Sequence, residues 1–297
     1  VPPPPGYLQQ WRATRNTCLV TGATDGIGRA LAIRLADAGQ NVAVVGRSAQ
    51  KVKRVLNEIN DVGPTQSHQG FVADLSLISE VDRLADTLRR DLPEMNRIAL
   101  CASETPGFHG ITPEGIEAGF AVNYLSRFRL LNELAPLIKQ QQEPRVVSFA
   151  SPSIRFVPPN MIALNDPESK LSKWDRRKAH TICNLLFLKE FAERMKGTGA
   201  RINAFGPGLV LTKQVAHYSL ARRFWLGILS SLIGKTAAYA ALPAMYMLLS
   251  QSFSDGTAGF YEGHTKITAD NQLWNKARQQ WFWEETSQLV QLAQARQ

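Results

Sequence analysis

Thr17-Cys18-Leu19-Val20-Thr21-Gly22-Ala23-Thr24-Asp25-Gly26-Ile27-Gly28 carries the first reading of this chain. A short apolar run of strand length leads into glycines at 22, 26 and 28, and a helical pattern follows over 29–38. Glycine lets backbone turn sharply and lets a pyrophosphate approach it closely, while the helix beyond offers unpaired N–H groups and a favourable dipole. A glycine trio alone is a weak signal, but between a strand and a helix it points to dinucleotide binding. Gly22, Thr24, Asp25, Gly26, Ile27 and Gly28 are therefore the candidate phosphate cradle.

The same rhythm repeats outward. Apolar runs at 41–46, 71–73, 97–102, 145–150 and 201–205 alternate with helical patterns at 49–59, 77–92, 112–140 and 175–195. Strand and helix in alternation mean parallel strands joined by crossover helices, and continuously apolar strands mean a sheet covered on both faces. The fold class is thus α/β: a single-domain, doubly wound, Rossmann-like parallel sheet flanked by helices. Function on such a sheet sits in the loops after the strands. The second strand ends in Gly46-Arg47-Ser48. An NAD site would place a carboxylate there; a guanidinium instead suits a 2′-phosphate. Arg47 and Ser48 make NADP(H) the expected cofactor.

Composition bounds the rest. The 297 residues are 44% hydrophobic and 20% charged, with a net charge of +9, which excludes disorder and a fibrous repeat. Basic residues are scattered, so no nucleic-acid partner is expected. Cys18, Cys101 and Cys183 are sparse and odd in number, which fits buried hydrophobes rather than a disulfide scaffold or a metal site. The organisation expected is a Pro-rich extension at 1–15, a dinucleotide-binding domain at 16–268 with an apolar lid at 213–234, and a helical tail at 269–297. The apolar stretch 224–250 is interrupted by Lys235 and Pro243, so a buried helix pair or lid is favoured over a span. Peripheral membrane contact through 224–250 is compatible with it. The opening Val-Pro-Pro-Pro-Pro-Gly lacks the apolar region of a signal peptide, and the expected location is cytoplasmic, with or without membrane association.

Several pieces in order resemble the short-chain dehydrogenase/reductase family, in particular its retinol-dehydrogenase-like branch: TGATDGIG at 21–28, ADL at 73–75, Asn123 in AVNYLSRFRLLNEL, RVVSFAS at 145–151, and CNLLFLKEFAERMKGTGARINAFGPGLVLT at 183–212. The resemblance implies that Asp74 and Leu75 contact adenine and that Pro207, Gly208 and Thr212 hold the nicotinamide end. Leu100-Cys101-Ala102-Ser103 stands where the family has Asn-Asn-Ala-Gly, so Cys101 and Ala102 border the cofactor with two polar supports gone. Asn123 and Ser151 match the family's catalytic Asn and Ser.

The family's catalytic Tyr and Lys fall on Arg177 and Thr181 in the ungapped register. A register shifted by three would offer Trp174 and Lys178, but it needs a deletion within a helix and an indole that donates a proton. Arginine does not donate a proton near neutral pH, yet a fixed cation stabilises a developing oxyanion. His180, on about the same helix face, is a titratable candidate acid or base. Apolar residues after Ser151 and Thr212 fit a bulky apolar substrate. The expectation is an atypical NADP(H)-binding enzyme, redox or cyclase/isomerase, with a non-catalytic cofactor-binding or scaffold protein as the alternative. In the latter the cofactor would be vestigial. The family's habit of associating through its long helices makes a homo-oligomer compatible with the sequence.

Overall fold

The computed structural model describes residues 11, 14–63, 67–104, 110–150, 165, 171–208, 236–251, 253, 256–263, 265–267 and 275–296. Among the described residues the sheet has eight strands: β1 Thr17–Thr21, β2 Asn41–Gly46, β3 Gln69–Val72, β4 Met95–Leu100, β5 Arg145–Phe149, β6 Arg201–Gly206, β7 Phe260–Glu262 and β8 Thr265–Ile267. Their spatial order is β3-β2-β1-β4-β5-β6-β7-β8, parallel except for the terminal β7–β8 pair. The order reverses between β1 and β4, which opens a crevice at their carboxyl ends. Six strands were expected from sequence; β7 and β8 have only three residues each, too short for a period-2 pattern to register.

Helices α1 Gly26–Asp37, α2 Ala49–Val62, α3 Ile78–Asp91 and α5 Lys173–Arg194 follow β1, β2, β3 and β5. Each buries an apolar face: α2 turns Val52, Val55 and Ile59 inward and starts on Ser48, whose side chain accepts from the Lys51 amide. One core layer joins α3, α5 and the helix after β4 to the sheet; the other joins α1, α2 and the apolar helices near 240–250. Buried apolar surface on both faces explains why the strands read as unbroken hydrophobic runs.

The helix after β4 begins later than the Thr112-Pro113 pair suggested. Residues 111–117 instead form a tight loop, with an Ile111–Glu117 bridge and Gly115 at φ 76°. Glu117 is the true cap, its carboxylate accepting from the Gly119 and Phe120 amides at 3.1 and 2.6 Å. The helix, α4, then runs as Ala118–Phe120, a π-helical turn Ala121–Leu125, and a regular segment Ser126–Gln140.

Within 224–250, residues 224–235 and the proposed lid at 213–234 lie outside the described residues. The remainder forms α6 Ala237–Ala240 and α7 Leu242–Leu249, with Met245, Met247 and Leu248 buried in the core. Ala240, Ala244 and Leu249 are buried with them, whereas Tyr239 is exposed. No described helix is long and apolar enough to cross a membrane. Beyond the boundary read at 268, α8 Lys276–Gln294 lies against α5 and α3 and buries Phe282, Val290 and Ala293.

Candidate active site

The glycine loop sits where the strand order reverses, and Gly22 and Gly28 are required by contact. A Cβ on Gly22, which has φ 65°, would lie 2.6 Å from the Ala102 Cα; one on Gly28 would lie 2.4 Å from the Gly22 carbonyl oxygen. Loop, helix start and the end of β4 are thus stacked backbone on backbone. Asp25 caps α1 through the Gly26 amide at 2.9 Å, and Thr24 lies over Gly46, where a Cβ would meet its methyl at 2.3 Å. The exposed helix start, the close-packed glycines and Arg47 at the rim of β2 suit a dinucleotide, with Ile27 half-buried on the first helical turn. Ser48 is engaged as the α2 cap, and Asp74 Oδ1 accepts from the Ser76 amide and hydroxyl at 2.9 and 2.7 Å. Leu75 is a core residue, buried under α3. Pro207 and Gly208 follow β6, with Gly208 at φ 75°; Thr212 and Ser151 lie outside the described residues.

Around β4 the chain brings together three of the residues singled out in sequence. Asn123, in the π-helical turn, accepts from the Glu104 amide at 2.9 Å and lies 3.4 Å from His180 Nδ1. Arg177 donates to the Glu104 carbonyl at 3.2 Å. Thr181 bonds back to the Arg177 carbonyl at 3.0 Å and is buried. Lys178 pairs with Asp175 at 2.9 Å, so it is held toward the start of its own helix.

The reading of His180 as an acid or base is corrected. Its ring is buried, and desolvation, reinforced by Arg176 and Arg177, pulls its pKa down to about 3. Glu117 lies 3.4 Å from its Nε2 and would favour the charged ring. That carboxylate is already committed to two helix amides, so burial and the two guanidinium groups prevail. The imidazole is neutral at physiological pH and serves as a hydrogen-bond bridge between Asn123 and Glu117. Because the folded pKa lies below the unfolded one, this group favours folding above about pH 6.5, and that contribution is lost as pH falls toward 3. Urea unfolding of wild type and H180Q is expected to show it: the variant loses less stability between pH 6.5 and 4, with wild type falling by up to about 1.4 kcal/mol more per pH unit. Parallel pH profiles would refute the assignment.

Arg127 was not singled out in sequence, and it is the strongest buried charge here. It donates to the Ala102 carbonyl at 2.6 Å, to Ser148 Oγ at 3.0 Å and to the Phe149 carbonyl. It therefore bridges the ends of β4 and β5, beside Asn184, whose amide donates to Ser148 at 3.1 Å. No carboxylate pairs with it among the described residues; burial, with Arg177 adding to the effect, pulls its pKa down to about 10, so it stays charged at neutral pH. Leu100 and Cys101 bring no polar side chain to this loop, and the guanidinium supplies that support from the helix instead. The available signal was one arginine on the buried face of an apolar helix, in register with Leu130, Leu131 and Leu134. R127M is expected to cost about 3–5 kcal/mol, since three acceptors of a charged donor are left buried. The urea midpoint measures it, and a loss under about 1 kcal/mol would show those groups find other partners.

Together the crevice, the glycine cradle and the rim arginine define a Rossmann-type nucleotide-binding protein with a polar cluster at the neighbouring strand end. A family profile described as "short chain dehydrogenase" matches residues 16–163. Retinol dehydrogenase 13 of Mus musculus is 27% identical over 94% of this chain and 85% of its own length, and retinol dehydrogenase 14 of the same species is 28% identical over 84% and 78%. A structure from Shigella flexneri, provisionally assigned as a short chain dehydrogenase and solved with NADP, superposes with TM-score 0.65 at 21% identity, covering 84% of this chain and 97% of that one. The chain belongs to the short-chain dehydrogenase/reductase family of oxidoreductases, in its retinol-dehydrogenase-like branch.

Proposed function

We propose that this protein is an NADP(H)-binding enzyme acting on a bulky, apolar, oxygenated small molecule, with a fixed cation where the family carries its proton-donating tyrosine. The observation that carries this reading is Arg177, half-buried and tied to the Glu104 carbonyl, on the helix face that also presents Thr181. The glycine cradle and helix start would hold the pyrophosphate, Arg47 the 2′-phosphate, and Pro207 and Gly208 the nicotinamide end. When bound, the nicotinamide supplies or accepts hydride. Asn123 fixes the loop after β4 through Glu104, and Arg177 holds negative charge that develops on a substrate oxygen without moving a proton. Such a site suits groups that need little acid help, such as an iminium, an activated enone or an activated carbonyl. A second reading, non-redox cyclisation or isomerisation, draws on the same fixed cation, Arg177.

Titration with NADPH and NADP⁺, followed by nicotinamide fluorescence and melting temperature, tests the cofactor half. NADPH at about 100 times its Kd is expected to stabilise the fold by about 2.7 kcal/mol, with NADP⁺ binding more weakly because a cation faces its charged ring. Failure of both to bind would remove the redox reading and favour the scaffold alternative.

A further inference from the structure

Arg47 and Glu104 form an ion pair, Nη1 to Oε1 at 3.2 Å, between chain segments 57 residues apart. Its position is telling. Arg47 follows β2, Glu104 follows β4 by four residues, and β1 lies between those two strands in the sheet. Neighbours two strands apart are separated by about 9–10 Å, the combined reach of the two side chains. The pair therefore arches over the carboxyl end of β1, where the glycine loop begins.

The two partners differ in freedom. Arg47 is 63% exposed, whereas the Glu104 side chain is 16% exposed. The Glu104 backbone is held on both sides, its amide by Asn123 and its carbonyl by Arg177. A pinned backbone thus presents one carboxylate to the arginine that suits a 2′-phosphate. A carboxylate and a phosphate monoester offer that guanidinium the same kind of partner, an anion with two accepting oxygens. They cannot both be satisfied by it without bringing two anions together.

We propose that Glu104 is a built-in competitor for the cofactor's 2′-phosphate: its carboxylate holds Arg47 across the dinucleotide groove, and a 2′-phosphorylated nucleotide binds by taking Arg47 from it. This rests on the assignment of Arg47 to the 2′-phosphate. An ion pair this exposed is worth at most about 1 kcal/mol, so the competition lowers affinity by about two- to fivefold. The competition is electrostatic and weakens with salt.

The test is a binding cycle on the full chain with adenosine 2′,5′-bisphosphate, read by calorimetry, for wild type, E104Q, R47A and the double variant, at low and high salt. The probe carries the 2′-phosphate without the nicotinamide. E104Q is expected to bind it about two- to fivefold tighter at low salt, with the gain shrinking at high salt and vanishing in the R47A background. Adenosine 5′-monophosphate, which lacks the 2′-phosphate, gains less from E104Q. Unchanged or weaker binding by E104Q, or an equal gain without Arg47, overturns the competition. If R47A alone binds the probe as wild type does, the assignment of Arg47 to the phosphate has failed instead. Glutamine keeps the side-chain size, and matching melting temperatures for wild type and E104Q confirm an undisturbed fold.

Discussion

R177Y/T181K is expected to reduce a long-chain apolar aldehyde with NADPH about 10²–10⁴ times faster than wild type, the usual worth of positioned acid–base help. The two positions lie one turn apart on α5, and Thr181 already bonds the Arg177 carbonyl at 3.0 Å. A tyrosine and a lysine at that spacing would face each other, and the ammonium would lower the phenol's pKa. In wild type the guanidinium cannot give up a proton near neutral pH, and the adjacent imidazole, with its pKa pulled down to about 3, is neutral and too weak an acid to give up its remaining N–H. The double variant should also acquire a pH-rate limb that wild type lacks. If it binds NADPH, keeps its melting temperature and gains no activity, something other than the missing proton donor limits the reaction.

G28A is expected to weaken NADPH binding by at least about a hundredfold, the equivalent of about 3 kcal/mol, and to destabilise the fold by about 1–3 kcal/mol. The added carbon would lie 2.4 Å from the Gly22 oxygen and 2.9 Å from the Gly22 carbonyl carbon. Gly22 cannot retreat, because its own missing side chain leaves room for the Ala102 backbone at 2.6 Å. The strain therefore spreads through loop, helix start and strand end at once. Gly197 is the control: its φ is 85°, but a Cβ there would meet nothing within 4 Å. G197A should cost about 1–2 kcal/mol of backbone strain and leave NADPH binding intact. Equal NADPH affinity in G28A and wild type would mean the loop does not hold the nucleotide.

The sheet was legible because its strands announce themselves. Val42 to Val45 and Ile98 to Leu100 are buried on both faces, so local composition and tertiary position agree. The start of α4 was misread because Thr112 and Pro113 resemble a helix opening, while Gly115 and the Glu117 carboxylate, several residues later, decide it. The shape of the glycine loop was legible for a related reason: it is a backbone conformation, and glycine is the residue that permits it. Arg127 and Glu104 were not. Their roles depend on groups 21–73 residues away, Ser148, Ala102, Phe149, Arg47 and Arg177, and no local period encodes such partners. His180 was visible as a histidine, but its neutrality comes from burial beneath Phe120, whose ring centroid lies 5.6 Å away, and from two neighbouring cations.

Helix α8 has a consequence for how the chain matures. Trp283 lies against Phe128 and Phe187 at 4.9 and 5.8 Å, and Thr286 bonds the Tyr124 hydroxyl at 2.8 Å across 162 residues of sequence. Every described strand is made before Trp283 and Thr286 are. During synthesis the sheet can assemble while an aromatic flank of α4 and α5 stays uncovered until residues 276–294 have left the ribosome. Contacts this distant in sequence close late and slowly. A newly made copy therefore passes through a stage in which an aromatic surface is exposed, and species of that kind are prone to aggregate until the surface is covered.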